Sequence, residues 1–516
     1  MRLAWLLAAA LALWSQDISG ERIRAHVKFL ASDLLEGRAV GARGGDLAVE
    51  YLASQLAVAG ARPAAGGRYF QSVPLVNVKP LPESTLAAVS GERRVEFKWL
   101  DDFVGQTQTQ VPSQDFDAEA VFVGHGITAP EFGWDDYSGA DVKGKVVVFF
   151  TNEPPSENPS FFDGRGLTYY GRWTYKFEQA LRNGAVAALI LHTTPTAGYG
   201  WDVVRNSWGR EEPQVRANGS ALAFAGWLNG EASVRLLELA GHKPTDLLAR
   251  ADKRGFRAVP LGIRVKGHAA SQVREVASSN AVGIVPGGDL ASEAVIFSAH
   301  WDHLGKSEGE VFNGAVDNAT GSAMLLDIAR AWAALPRKPR RSALFLFTTA
   351  EESGLRGSEY YVRHPLVPLA KTALVLNFDS FYPFGRTRDA VLEGAERTTF
   401  WPTIQSVAER FQLALAPSAN RSETGSFFRS DHFPFARAGV AAFSVKEGRS
   451  YYGNDQGIGA RRAEYGSRHY HQASDEYRDD WDFAGMEHLA RFGMSLGIDA
   501  ANADSVVRWV EPARKQ

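Results

Sequence analysis

The sequence predicts an α/β protein built on a mostly parallel, mixed sheet with helices on both faces, and three observations carry this. From about residue 280 onward, strand-length apolar runs at 294–299, 343–349, 372–378 and 439–445 are interspersed with helical patterns at 319–335, 400–412 and 483–498. The runs are nearly continuous in apolar residues, as in AVIFSA and ALFLFTT, which is how strands buried on both faces read. A second α/β texture, with strands and helices of its own, interrupts the chain between 117 and 262, so a smaller domain is expected as an insert in the larger one.

Taken in order, the chain opens with Met1, Arg2 and an apolar stretch from Leu3 to Leu13, with Ala10-Leu11-Ala12 as a small-residue cleavage site. That is the layout of a signal peptide over 1–16, too short to span a bilayer, and it predicts a secreted or periplasmic protein. The chain holds no cysteine, so stability must come from core size or bound metal, and a thiol nucleophile is excluded. Residues 21–36 and 45–60 place Val27, Leu30, Leu34 and Leu47, Tyr51, Leu52, Leu56 at helical spacing, and 66–115 reads as a β-rich connection. Together they form the first part of the larger domain, 21–116.

The insert, 117–262, contains the strands AEAVFVGHGI and GKVVVFF and a helix that runs through Gly184 into a strand. A further helix, EASVRLLELAG, follows, and the larger domain resumes over 263–510. A length of 516 residues fits two such domains at roughly 150 residues or more each. The net charge of -3 and the lack of a basic run interleaved with aromatics argue against nucleic acid as a partner. No later stretch is apolar enough for a stable membrane span.

In open parallel sheets ligands bind beyond the carboxyl ends of the strands. His300, Glu351-Glu352 and Asp379 each follow directly on a strand, so one crevice can collect them. His300 and Asp302, two apart on extended chain, point the same way and suit a metal ligand with its orienting carboxylate. Asp317, before Asn318 and a helix, is by itself an ordinary helix cap, and in this company a carboxylate able to bridge two cations. Adjacent Glu351 and Glu352 would repel each other in a dry crevice unless one binds metal and the other handles protons. With His471 in HYHQASDEY, the count becomes one bridging Asp plus one His and one carboxylate for each of two ions. Oxygen and imidazole donors without thiolate point to Zn²⁺, with Mn²⁺ or Co²⁺ possible. The string Gly305-Lys306-Ser307-Glu308-Gly309 matches a nucleophile elbow, but a charged loop stands where the elbow needs a strand and a helix.

The strings AHWDHLG, NGAVDNATG, TTAEESG, NFDS, SDHFPF and YHQASDEY resemble the di-zinc metallopeptidase family of bacterial leucyl aminopeptidases, glutamate carboxypeptidases and glutaminyl cyclases. The insert resembles a protease-associated domain through VFVGHGITAPEFGWDDYSGADVKGKVVV and YKFEQALRNGAVAALILH. The resemblance implies a zinc-exopeptidase-like fold, one zinc on His300, Asp317 and Asp379, and the other on Asp317, Glu352 and His471. It implies Glu351 as general base, Asp302 as the residue that orients His300, and Asp431, His432 and Phe433 on the substrate side. It also implies a cis Asp317–Asn318 bond. The expected function is a secreted aminopeptidase acting on peptides. The alternatives are a glutamate-releasing carboxypeptidase, with Arg421, Arg429, Arg461 or Arg468 holding a terminal carboxylate, and a non-catalytic scaffold.

Overall fold

The computed structural model describes residues 18–510 apart from 159, 198–199, 218, 308, 417–424 and 454. The expected signal peptide and Arg421 lie outside the described residues. The chain divides into two compact units, one formed by the N-terminal part to Val73 with Ala277–Ser418 and Phe427–Lys515, the other essentially Pro74–Val276.

The first unit begins with helices α1 (Gly20–Leu30) and α2 (Arg43–Val58). The single helix expected over 21–36 stops at Leu30, because the Ser32 side chain accepts from the Leu34 N–H and starts a separate turn, Asp33–Arg38. Left-handed backbone at Glu36 and Arg38 then turns Arg38 inward, where it is buried.

The sheet of this unit uses β1 (Val259–Val285), β2 (Leu290–His300), β3 (Arg341–Thr348), β4 (Thr372–Phe378) and β5 (Ala442–Glu447). Ala281–Val285 of β1 pairs antiparallel with β3, while β3, β2, β4 and β5 follow one another in parallel. Helices α3 (Thr320–Ala333), α4 (Arg356–Arg363), α5 (Trp401–Arg410), α6 (His432–Arg437), α7 (Asp455–Arg468) and α8 (Ala484–Asn502) complete it.

Alternation along the buried strands sorts side chains onto two cores. Val295, Phe297, Phe345 and Phe347 pack with α1, α2, α3 and α8 on one face. Ile296, Leu344, Leu346 and Val375 pack with Tyr361 of α4 and Phe435 of α6 on the other. Phe297 stacks on Phe345 at 5.3 Å and meets Trp332 edge-on at 5.5 Å, which locks α3 against the strand that ends in His300.

The second unit is also α/β. Its strands Val146–Phe150, Ala187–Leu191 and Phe224–Leu228 are parallel neighbours, with Phe103–Gln106 antiparallel at their edge. Helices Trp173–Arg182, Gly230–Leu239 and Pro244–Ala251 accompany them. This unit opens at Pro74 rather than at 117, because Leu86, Ala88, Phe97 and Phe103 share a core with Phe116, Leu189 and Leu228. Likewise it extends to Val276 instead of stopping at 262.

Candidate metal centre

Each strand end delivers one side chain. His300 closes β2 and is 1 % exposed. Its Nδ1 lies 3.2 Å from the Asp302 main-chain oxygen, an acceptor only, so Nδ1–H donates and Nε2 is left with its lone pair toward the site. Nε2 lies 3.2 Å from Asp317, 3.4 Å from Asp379 and 3.9 Å from Glu351, yet makes no hydrogen bond of acceptable geometry. On the opposite side, Nε2 of His471 lies 3.1 Å from the second oxygen of Asp317 and 3.0 Å from Oε2 of Glu352. Asp317 therefore stands between the two histidines, one oxygen to each.

The expected residues His300, Asp317, Glu351, Glu352, Asp379 and His471 thus meet in one place. Donor atoms of His300, Asp317 and Glu352 fall within 4.8 Å of one another, as do those of His300, Glu351 and Asp379. The Asp317–Asn318 peptide is cis. Asn318 takes the cap role, its Oδ1 accepting from the N–H of Gly321 and of Ser380 at 2.9 and 3.2 Å. Asp475 accepts from the N–H of Val316 and Asp317 at 2.9 and 3.2 Å and so holds the bend that presents Asp317. Hydroxyls supply the remaining supports: Ser430 donates to Asp379 at 2.5 Å, and Ser380 to Asp379 and Asp317 at 3.0 and 3.2 Å.

Asp302 departs from the expected arrangement. Its carboxylate is 3.9 Å from Nδ1 of His300 and accepts instead from the Glu351 N–H at 3.1 Å, so the His300 tautomer is set by the main-chain oxygen of residue 302. Asp431, His432 and Phe433 are all buried. Asp431 is tied inward, accepting from Ser358 at 2.5 Å and from Thr348, and His432 Nδ1 lies 3.0 Å from the Ser444 hydroxyl.

Electrostatics separates the two adjacent glutamates. Burial, with Asp379, Glu352 and Asp431 nearby, drives the Glu351 carboxyl well above its ordinary value despite the opposing pull of His300. Burial acts the same way on Glu352, but His471 and His303 outweigh it and hold that carboxyl well below its ordinary value. His471 is carried up to about 10 because Glu352 and Asp317 overcome its desolvation. Burial pushes Asp302 up to about 7.

Three residues at this centre were not foreseen. His303 is buried and its Nδ1 lies 2.6 Å from Oε1 of Glu352. Its signal was present in AHWDHLG, but a second histidine three residues after the first has no periodic reason to face the same place. Tyr470, half exposed, stacks on His471 at 4.0 Å. Arg38 donates to the main-chain oxygens of Trp301, Leu30, Asn313 and Gly314, at 2.7, 2.5, 2.6 and 3.0 Å, and so braces the loops on both sides of His303. Of the arginines considered for a carboxylate, Arg461 is paired with Asp480 at 3.1 Å and Arg468 with Glu464 at 2.9 Å. Ser307 lies on a hairpin, Gly305–Ser307 against Glu310–Phe312, which is no nucleophile elbow.

Comparison with known proteins agrees with this layout. Residues 280–492 match Peptidase family M28. Leupeptin-inactivating enzyme 1 of Streptomyces exfoliatus is 30% identical over 178 residues, 33% of this chain and 36% of the relative. Aminopeptidase YwaD of Bacillus subtilis (strain 168) is 28% identical over 169 residues, 32% of this chain and 34% of the relative. Carboxypeptidase Q of Xenopus laevis is 27% identical over 252 residues, 48% of this chain and 44% of the relative. The chain thus spans less than half the length of each of these relatives. Among solved structures, an aminopeptidase from Aneurinibacillus sp. strain AM-1 shares the fold, with a TM-score of 0.52 and 18% identity, covering 95% of this chain and 96% of that one. Residues 280–492, the stretch that the model of Peptidase family M28 matches, hold all six candidate ligand and base residues.

Proposed function

We propose that the chain is an exported di-zinc aminopeptidase that removes N-terminal residues from peptides, with Glu351 as general base. The observation that supports this best is the division of one adjacent pair: Glu352 faces His471 and His303, whereas Glu351 faces His300. The donor set fits zinc, being two imidazoles and three carboxylates without thiolate. The buried, unpartnered Nε2 of His300 among carboxylates is what a cation would satisfy. His300, Asp317 and Asp379 would hold one ion, and Asp317, Glu352 and His471 the other. Zinc, when bound, supplies Lewis-acid activation of water and of the peptide carbonyl.

Glu351 takes a proton from water as the new C–O bond forms at the carbonyl carbon, then delivers it to the amine nitrogen as the C–N bond breaks. Its backbone N–H donates to Asp302, which fixes the start of the Glu351-Glu352 turn. The carboxylates around the reacting carbonyl favour a cationic terminus, so a free α-amine is the end recognised. The apolar run after Arg2 supports export, and no helix among the described residues is long and apolar enough to cross a membrane. The second unit is proposed to be a protease-associated domain, on the strength of the strings quoted above.

The test is hydrolysis of leucine p-nitroanilide by purified protein, its loss to a chelator and its return with zinc. N-acetyl-leucine p-nitroanilide should be refused. Equal cleavage of blocked and free substrates, or release of C-terminal residues from peptides, would replace this reading with the carboxypeptidase one.

A further inference from the structure

Asn280 stands one step before β1 begins to pair with β3, Ala281 opposite Phe347, and so lies beside the end of the strand that leads into the Glu351-Glu352 loop. It is fully buried. Its Oδ1 accepts from the N–H of Thr349 at 3.0 Å, and its Nδ2 donates to the carbonyl of Gly357 and to Oε1 of Gln71, both at 3.0 Å. One donor on one side and two acceptors on the other fix the orientation of the amide, since a flip would set like against like at all three. Gln71 is fixed in turn, because its Nε2 donates to the His364 carbonyl at 2.8 Å.

The two backbone groups that Asn280 holds are the two ends of one loop. Thr349 follows β3, Gly357 lies in the first turn of α4, and the Gly357 N–H donates to the Thr349 carbonyl at 2.8 Å. Direct bond and side-chain bridge together close the loop at its neck. The neck is tight: a Cβ on Gly357 would come within 2.4 Å of both Asn280 Oδ1 and the Thr349 carbonyl oxygen. Inside it, Ala350 and Leu355 sit at φ 53° and 64°, backbone that residues other than glycine keep only where the surroundings impose it.

The two glutamates of the loop depend on this closure unequally. Glu352 has anchors on its side chain, His303 at 2.6 Å and His471 at 3.0 Å. The Glu351 carboxylate makes no hydrogen bond among the described residues, with Nε2 of His300 standing 3.9 Å away. Its position is therefore set by the backbone that carries it.

Resting on the aminopeptidase reading, we propose that Asn280 is a positioning residue for the general base: by closing the neck of the loop 349–357 it holds Glu351 where proton transfer can occur. Such transfer needs hydrogen-bond reach, and a displacement of about 1 Å can cost roughly 100-fold in rate. Loosening the neck should disturb Glu351 and spare Glu352.

The experiment measures kcat and KM for leucine p-nitroanilide, together with bound zinc, in wild-type protein, Asn280→Asp, Gln71→Met and Ser278→Ala. Asn280→Asp keeps the shape and the acceptor for Thr349 but sets an oxygen against Gly357 and Gln71. It should lower kcat about 10- to 100-fold with KM and zinc content close to wild type. Gln71→Met, which removes only the brace on the amide, should lower kcat several-fold in the same way, and it decides the matter if Asn280→Asp fails to fold. Ser278→Ala removes a buried hydroxyl contact to the Thr349 side chain at 2.6 Å and leaves the neck intact, so its kinetics should match wild type. Placed in the Glu351→Gln background, Asn280→Asp should reduce the remaining rate no further. Equal losses in both backgrounds, loss of zinc in step with activity, a matching loss in Ser278→Ala, or an unchanged kcat would overturn the proposal. Wild-type protein inactive on the anilide, or Glu351→Gln with near wild-type turnover, would instead sink the reading on which it rests.

Discussion

Nδ1 of His303 lies 2.6 Å from Oε1 of Glu352, which leaves Oε2 of the same carboxylate 3.0 Å from His471. One oxygen is anchored to the protein and the other is presented to the centre. Outer partners of this kind typically contribute about 10- to 100-fold to metal affinity. His303→Ala should therefore weaken zinc binding by about that factor, read by competition with a chromophoric chelator. An unchanged affinity would show that Glu352 is oriented without His303.

Glu351→Gln should retain bound metal and lose at least about 10²-fold in kcat, the lower end of what a positioned acid–base group contributes. Glu352→Gln should lose metal instead. Metal analysis thus separates two neighbours that an activity assay would score alike, and Glu351→Gln with near wild-type turnover would remove it as the base.

His471 rather than His469 is expected to bind metal. His469 points elsewhere, with its Nδ1 2.7 Å from the Ser474 hydroxyl at an exposed position. His469→Ala should keep its metal and His471→Ala should lose part of it. The reverse pattern would exchange the two assignments.

His488, on α8, should make the protein sensitive to acid. Burial first, then the charges of Arg386 and Arg491, lower its pKa from 6.5 to about 4. Nε2 lies 3.3 Å from the Arg386 guanidinium, which the neutral ring can accept from. With the folded pKa below the unfolded one, the unfolded chain takes up the proton first. Stability from this group is complete above about 6.5 and is lost as the pH falls toward 4. His488→Gln should flatten the pH dependence of Tm across that window, and an unaltered slope would show that other groups set it.

The parts of the fold that could be read from the sequence were those where one physical signal dominated. Strands 294–299, 343–349 and 372–378 emerge as Leu290–His300, Arg341–Thr348 and Thr372–Phe378, because burial on both faces leaves an apolar run that few other structures produce. Helix α7 was missed. It carries Gly457, Gly459 and Gly466 and buries only Tyr465, so no apolar stripe marks it. The compact unit begins at Pro74 while the change of texture lies at 117, because Leu86, Ala88 and Phe97 choose their core by long-range pairing, which local pattern does not reveal. The same division runs through the centre. Carboxylates at strand ends are legible from position alone, whereas Asp302 and Asp475 found main-chain partners that only the folded loops bring near.

Arg38 bears on where the catalytic segment ends. The stretch 280–492 contains every candidate ligand, and along the chain it looks self-sufficient. In space it is not. A guanidinium more than two hundred residues upstream holds the carbonyls of Trp301, Asn313 and Gly314, and α1 and α2 cover the same face of the sheet. An excised 280–492 would lose the donor to those carbonyls and would strip one wall from the core. The smallest unit expected to fold around the candidate metal centre is therefore discontinuous in sequence, and any shortened form must carry the N-terminal helices with it.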